Sequence, residues 1–272
     1  MILKVTPITV YVRNKNTLPY LIKLLSVIYG VRMRNEFYEH LHLLLRTNVS
    51  KLNEYFKNTE VMHKDIIKTP FALRLDGVDF GKKLRSYSKP RDWRVHKALV
   101  EGAKELLTYF NADLTYVISD EVNVLFLKNI PYGARYEKII SISSGLLSSK
   151  VSLALNIPLF FDSRVVTLRN LSDVINYVIY RMRVGFNNYI SSLYHSLTQA
   201  EITPPLSEMI NVIRSKGVKL ELKPLWELFG SCVIWEVFKK KGYNPLTNET
   251  TLTLRRKPNV YEGIICLSKL CE

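Results

Sequence analysis

Asp76 closes an apolar run, Phe71 to Leu75, and is followed by Gly77, while Asp120 and Glu121 stand between two more, Leu114 to Ile118 and Val122 to Leu127. Carboxylates set at the ends of apolar runs can be brought together only at a cost in repulsion, which a divalent cation removes. Mg²⁺ held by one or two carboxylates plus phosphate oxygens is the usual arrangement for nucleotide chemistry. The same residues also have an ordinary reading. Asp-Gly after a strand is common turn chemistry, and Asp-Glu at a hairpin bend is commonly solvated.

The flanking pattern decides whether these carboxylates can meet. The three apolar runs read as strands, with Ser119-Asp120-Glu121 at the bend of a hairpin. Trp93, Leu99, Ala103, Leu106, Leu107 and Phe110 fall near helical spacing, which gives strand, helix, strand, turn, strand. In such a βαββ unit the first strand can lie beside the hairpin, and Asp76 then meets Asp120 from 44 positions away.

Several stretches, in the same order along the chain, resemble the tRNA(His) guanylyltransferase family, whose members add nucleotides to RNA 5′ ends in the 3′-to-5′ direction. Arg74-Leu75-Asp76-Gly77 with Phe80 is similar to the family's Arg-hydrophobe-Asp-Gly…Phe opening, and Lys89-Pro90-Arg91-Asp92 to its Lys-Pro-Asn-Asp. Ser119-Asp120-Glu121 matches the hairpin motif; Arg135 and Lys138 before the Ser-rich helix of Ile139 to Ser149 match an Arg-x-x-Lys helix start. Phe161-Asp162-Ser163-Arg164-Val165 resembles the Phe-Asp-x-Arg-Val strand, and Trp235-Glu236, Gly242 to Thr247 and Arg255-Arg256 the closing hairpin. Tyr180-Arg181-Met182-Arg183-Val184 departs from Trp-Arg-Gln-x-Asp, and Phe186-Asn187-Asn188 from His-Ile-Asn-Asn. These departures favour the relatives that extend 5′-truncated tRNAs against a template strand.

The resemblance implies an α+β fold with a polymerase-like palm of the ferredoxin type. It also implies a cytoplasmic homo-oligomer, typically a tetramer, acting on tRNA with GTP or ATP. Asp76 and Asp120 would be ligands of two Mg²⁺ ions, with the Gly77 carbonyl adding a backbone ligand. Glu121 is left open between ligand, outer orienter and solvent-facing side chain. Lys89, Arg135 and Lys138 would meet triphosphates, and Ser119 and Asn188 would hydrogen-bond nucleotide. A palm-based cyclase would share the carboxylates, and a non-catalytic tRNA-binding homologue would share the fold.

Composition fits an RNA partner. At 272 residues and 47% apolar content the chain buries a real core, and a net charge of +15 favours a polyanionic partner. The longest apolar stretch, Leu18 to Val31, is short and broken by Lys23, so no membrane association is expected. Cys232, Cys266 and Cys271 have neither disulfide-framework nor zinc-knuckle spacing, and no secretory start is present, which reads as a reducing, cytoplasmic setting. The five histidines read as structural or exposed.

Three parts follow. Residues 1–68 form a basic extension, with 11 Lys and Arg against five acidic residues, read as a tRNA-body binder or an assembly extension. Within it, residues 1–12 read as a strand, Pro19 to Tyr29 as a helix ended by Gly30, and Phe37 to Phe56 as one longer amphipathic helix. Residues 69–168 are the palm. Residues 169–272 are helical as far as about Ile213, with a break at Pro204-Pro205, and then carry a strand pair over Cys232 to Arg256.

Overall fold

The computed structural model describes residues 36–59, 67–246 and 248–263, with Ile265 and Leu267. The strand and capped helix expected within residues 1–30 lie outside the described residues. The expected helix from Phe37 to Phe56 is two helices, α1 (Glu36–Arg46) and α2 (Val49–Asn58). The break is chemical. Asn48 takes an extended backbone, and its side chain accepts from the Lys51 amide at 3.0 Å, capping a new helix although the apolar spacing runs straight through.

The palm begins at β1 (Phe71–Gly77), passes the short α3 (Phe80–Lys83), and continues through α4 (Trp93–Phe110), β2 (Leu114–Ile118) and β3 (Glu121–Phe126). A 3₁₀ turn at Pro131–Ala134 leads into α5 (Tyr136–Leu155) and β4 (Phe161–Thr167). The chain then runs through the long α6 (Leu171–Thr198), α7 (Leu206–Ser215) and α8 (Leu225–Phe229) to a ribbon, β5 (Ser231–Asn244) with β6 (Glu249–Glu262). One antiparallel sheet joins all six strands in the order β4-β1-β3-β2-β5-β6. Its first four strands, with α4 and α5 as crossovers, have the βαββαβ connectivity of a ferredoxin-like palm.

Side-chain alternation divides the core in two. Phe71, Leu73 and Leu75 of β1 and Val122, Val124 and Phe126 of β3 face α4 and α5. Ala72, Leu114, Tyr116, Ile118 and Leu125 face α6, together with α1, α2, α7 and α8. β2 and β3 are buried on both faces, which is why they read as mostly apolar runs, interrupted only by the buried polar Thr115, Glu121 and Asn123. Phe37, Leu41, Leu44 and Phe56 belong to the α6-side core, so the described part of the extension is packed into the body of the protein. The sheet likewise runs on past residue 168 into β5 and β6.

α5 is the one helix among the described residues long and apolar enough to cross a membrane by length and composition. Here its Ile139, Leu147 and Val151 are buried among the side chains that α4 and β4 contribute to the core.

Candidate functional site and family

The β1–β3 register places Asp76 opposite Glu121, and the β1–β4 register places Asp76 opposite Asp162. Directly paired residues point to one face, so Asp162, Asp76 and Glu121 form an acidic row across three strands, on the α6 side. Asp120 follows at the β2–β3 turn, where Ser119 takes a left-handed backbone with φ 59°. The Gly77 amide donates to the Asp120 carbonyl at 3.1 Å, binding the end of β1 to that turn. Gly77 itself is packed under the Phe80 ring, and a side chain there would overlap it. The sequence-expected meeting of Asp76 with Asp120 is therefore present in the fold.

Electrostatics sets Asp76 apart. Burial, followed by the Glu121 and Asp120 charges, pushes its pKa from 3.8 up to about 6, against a smaller opposing effect of Arg74. Burial also raises Asp120, partly offset by hydrogen bonds from the backbone and Ser119. Glu121 differs. It is buried; the Asn123 amide donates to it at 2.7 Å, and both Nε (2.8 Å) and Nη2 of Arg181 donate to its carboxylate. Burial alone would lower the Arg181 pKa, but the Glu121 charge outweighs it and holds the guanidinium charged. Tyr177 completes this network, donating to Asn123 at 2.7 Å. Of the readings left open for Glu121, solvent exposure is excluded, and its oxygens are committed to a protein cation. Asp162 pairs with its near neighbour Arg164 at 3.0 Å.

Beside Asp120 lies a cavity of about 170 Å³, with Lys89, Arg91, Ser119, Asp120, His96 and Tyr87 among its walls. Lys89, Ser119 and Asp120 are thus brought together in one cavity. Asn188 is exposed on α6, seven residues beyond Arg181 and hence on the same helical face. Arg135 and Lys138 are not brought to this cavity within the chain. β3 runs away from the Asp120 turn for six residues, about 20 Å, before the chain turns into α5. There Arg135 Nε donates to the Tyr132 carbonyl at 3.1 Å, Lys138 lies 4.7 Å from the centre of the Tyr132 ring, and the Tyr132 hydroxyl meets that of Tyr109 at the far end of α4. The direction in which β3 carries the chain therefore separates both from the cavity that holds Lys89 and Asp120.

A second cavity, of about 270 Å³, opens between α2, α6, β1 and β4, with Lys57, Arg74, Arg164 and Tyr180 in its walls. It lies one β-pair behind the acidic row, since Arg74 pairs with Arg164 two residues before Asp76 pairs with Asp162. The residues overlooked from sequence are Arg181, Arg164 and Arg91. Each stands inside a quoted motif, and the available signal was a basic residue on the strand or helix face shared with a carboxylate.

Two hard-oxygen side chains, both raised in pKa by burial and neighbouring charge, fit a Mg²⁺ site whose remaining ligands are backbone and phosphate oxygens. Among the described residues no group of three or more His, Cys, Asp or Glu side chains is placed to enclose a metal by itself.

Residues 53–169 match the family model for tRNAHis guanylyltransferase (Thg1). Those residues are a domain of the tRNA(His) guanylyltransferase family. Members of that family are nucleotidyltransferases. Solved structures with this fold include a bacterial tRNA(His) guanylyltransferase-like protein in complex with GTP, at TM-score 0.61 and 21% identity, covering 82% of this chain and 95% of that one. The bacterial protein in complex with ATP aligns at TM-score 0.59 and 22% identity, covering 78% and 90%. The Saccharomyces cerevisiae tRNA(His) guanylyltransferase aligns at TM-score 0.53 and 21% identity, covering 64% and 89%. An uncharacterized protein, R259, of Acanthamoeba polyphaga mimivirus is 22% identical, over 62% of this chain and 71% of the viral protein.

Proposed function

We propose that this chain adds nucleotides to tRNA 5′ ends in the 3′-to-5′ direction, either guanylylating tRNA(His) or repairing 5′-truncated tRNA. The observation that carries the reading is the meeting of Asp76 and Asp120 at the end of a palm sheet, beside a cavity that also holds Lys89 and Ser119. Asp76, Asp120 and the Gly77 carbonyl would hold two Mg²⁺ ions. When bound, these supply charge neutralisation for the triphosphate and activation of the attacking oxygen.

The chain's own residues do the positioning. Lys89 is exposed at the cavity mouth, where its ammonium meets phosphate oxygens as a point charge. Ser119 holds Asp120 through its hydroxyl and lines the same cavity. Glu121 serves as an anchor: clamped by Arg181, it fixes β3 against α6 and adds the negative field that raises Asp76. The family's order of events is activation of the tRNA 5′-monophosphate by ATP or GTP, then attack by the 3′-hydroxyl of the incoming nucleotide. The basic surface, including Lys57 on α2, supports a tRNA partner. A homo-oligomeric, cytoplasmic enzyme is proposed on the resemblance alone.

The test is incubation with 5′-truncated tRNA transcripts, Mg²⁺, ATP and labelled nucleotides. The reading expects products longer at the 5′ end, still formed when the tRNA 3′ terminus is chemically blocked. Products that require a free 3′ end, or cyclic nucleotides made without tRNA, would overturn it.

A further inference from the structure

Behind the cavity at Asp120 lies a cation to which the proposed chemistry gives no task. Arg91 stands between Pro90 and Asp92, in the loop that carries Lys89 into the N-cap of α4. Its guanidinium points inward. Nη2 donates to the Gly185 carbonyl of α6 at 2.7 Å, and Nη1 donates to the Glu227 carbonyl of α8. The Tyr189 ring lies 5.6 Å from the guanidinium carbon, and the Tyr189 hydroxyl donates to the Glu227 carboxylate at 2.7 Å. Burial lowers the Arg91 pKa to about 10, which leaves the group charged at neutral pH.

These contacts are more than local satisfaction. Gly185 lies inside α6, where its carbonyl already has a helical partner, so Arg91 is not filling a vacant acceptor there. Burying a guanidinium among carbonyls costs free energy that a smaller apolar residue would not incur. The approach also requires Gly185: a Cβ there would overlap Ile118 and lie 3.3 Å from Arg91 Nη2. Ile118 is the last residue of β2, two positions before Asp120. One guanidinium therefore ties the 87–92 loop, which lines the cavity, to two elements behind it: α6, where it rests on the end of β2, and α8.

The geometry points to Arg91 as a positioning residue for the nucleotide. By tying the 87–92 loop to α6 and α8, it fixes the gap between Lys89 and Asp120 that the nucleotide's triphosphate must fill. This rests on the proposed nucleotide site. It goes further by assigning the width of that site to a residue standing where the family motif has Asn.

The experiment is calorimetric titration of wild type, Arg91→Lys and Arg91→Met with GTP and, separately, with inorganic triphosphate, both in Mg²⁺, alongside tRNA binding. The variants should bind GTP and triphosphate at least tenfold more weakly and keep tRNA affinity within twofold, because Lys89 loses its fixed distance from Asp120 while the surface that meets RNA is unchanged. Unchanged GTP affinity, or equal loss of GTP, triphosphate and tRNA, would overturn the positioning role. A wild-type protein that binds neither GTP nor triphosphate would instead remove the nucleotide site itself.

Discussion

Replacing Asp76 by Asn should make the metal-free protein more stable. The Asp76 pKa is raised from 3.8 to about 6, so the folded state holds this proton more tightly than the unfolded chain does. Ionising it in the folded protein therefore costs stability. The penalty is absent below about pH 4, grows between pH 4 and 6, and is complete above pH 6. A shift of this size corresponds to roughly 3 kcal/mol at most, and water at the half-open site reduces it to about 1–2 kcal/mol. For a chain of this size that is a rise in Tm of about 2–8 °C for Asp76→Asn at pH 7 in EDTA, shrinking towards zero at pH 4. Mg²⁺ should then stabilise wild type much more than the variant, because the ion relieves a repulsion that Asn no longer has. Calorimetric melts at the two pH values, with and without Mg²⁺, measure all three quantities. A variant less stable than wild type at pH 7, or a gap that does not close at low pH, would refute the reasoning.

Three further outcomes are expected. Arg181→Met strands the Glu121 carboxylate in a buried site and should cost about 3–5 kcal/mol in denaturant unfolding, with much of the loss recovered in Arg181→Met/Glu121→Gln. Phe56→Ala, which removes a ring lying 5.1 Å from Tyr177 and 5.6 Å from Tyr180, should cost about 3–5 kcal/mol, measured the same way; a loss under 1 kcal/mol would show that α2 is only loosely appended. Lys89→Ala should raise the KM for nucleotide about tenfold or more while tRNA affinity stays within twofold, read from initial rates and filter binding.

The palm was legible because its signals are local. β2 and β3 are mostly apolar runs, α4 keeps near-helical spacing, and the Asp120 turn interrupts the apolar pattern where the backbone reverses. Relations across the sheet were harder to read. Whether Glu121 serves a metal or a protein cation depends on Arg181, 60 positions away on a helix whose motif was read as altered. The placement of Arg135 and Lys138 depends on which way β3 carries the chain, which a linear motif does not encode. The break between α1 and α2 was hidden because Leu44, Leu45 and Leu52 keep an unbroken apolar rhythm across the Asn48 cap. Truncating residues 1–65 as a probe of RNA binding would also strip Phe37, Leu41, Leu44 and Phe56 from the core, so charge substitution on α2 is the cleaner perturbation.

The central claim is that Asp76 and Asp120 together support 5′ nucleotide addition. The most direct measurement is extension of a 5′-truncated tRNA by wild type, Asp76→Ala and Asp120→Ala, each shown to be folded by circular dichroism. The account predicts 5′-lengthened tRNA from wild type and at least a thousandfold less from either variant, with tRNA affinity retained. Wild-type levels of extension by either folded variant would contradict it.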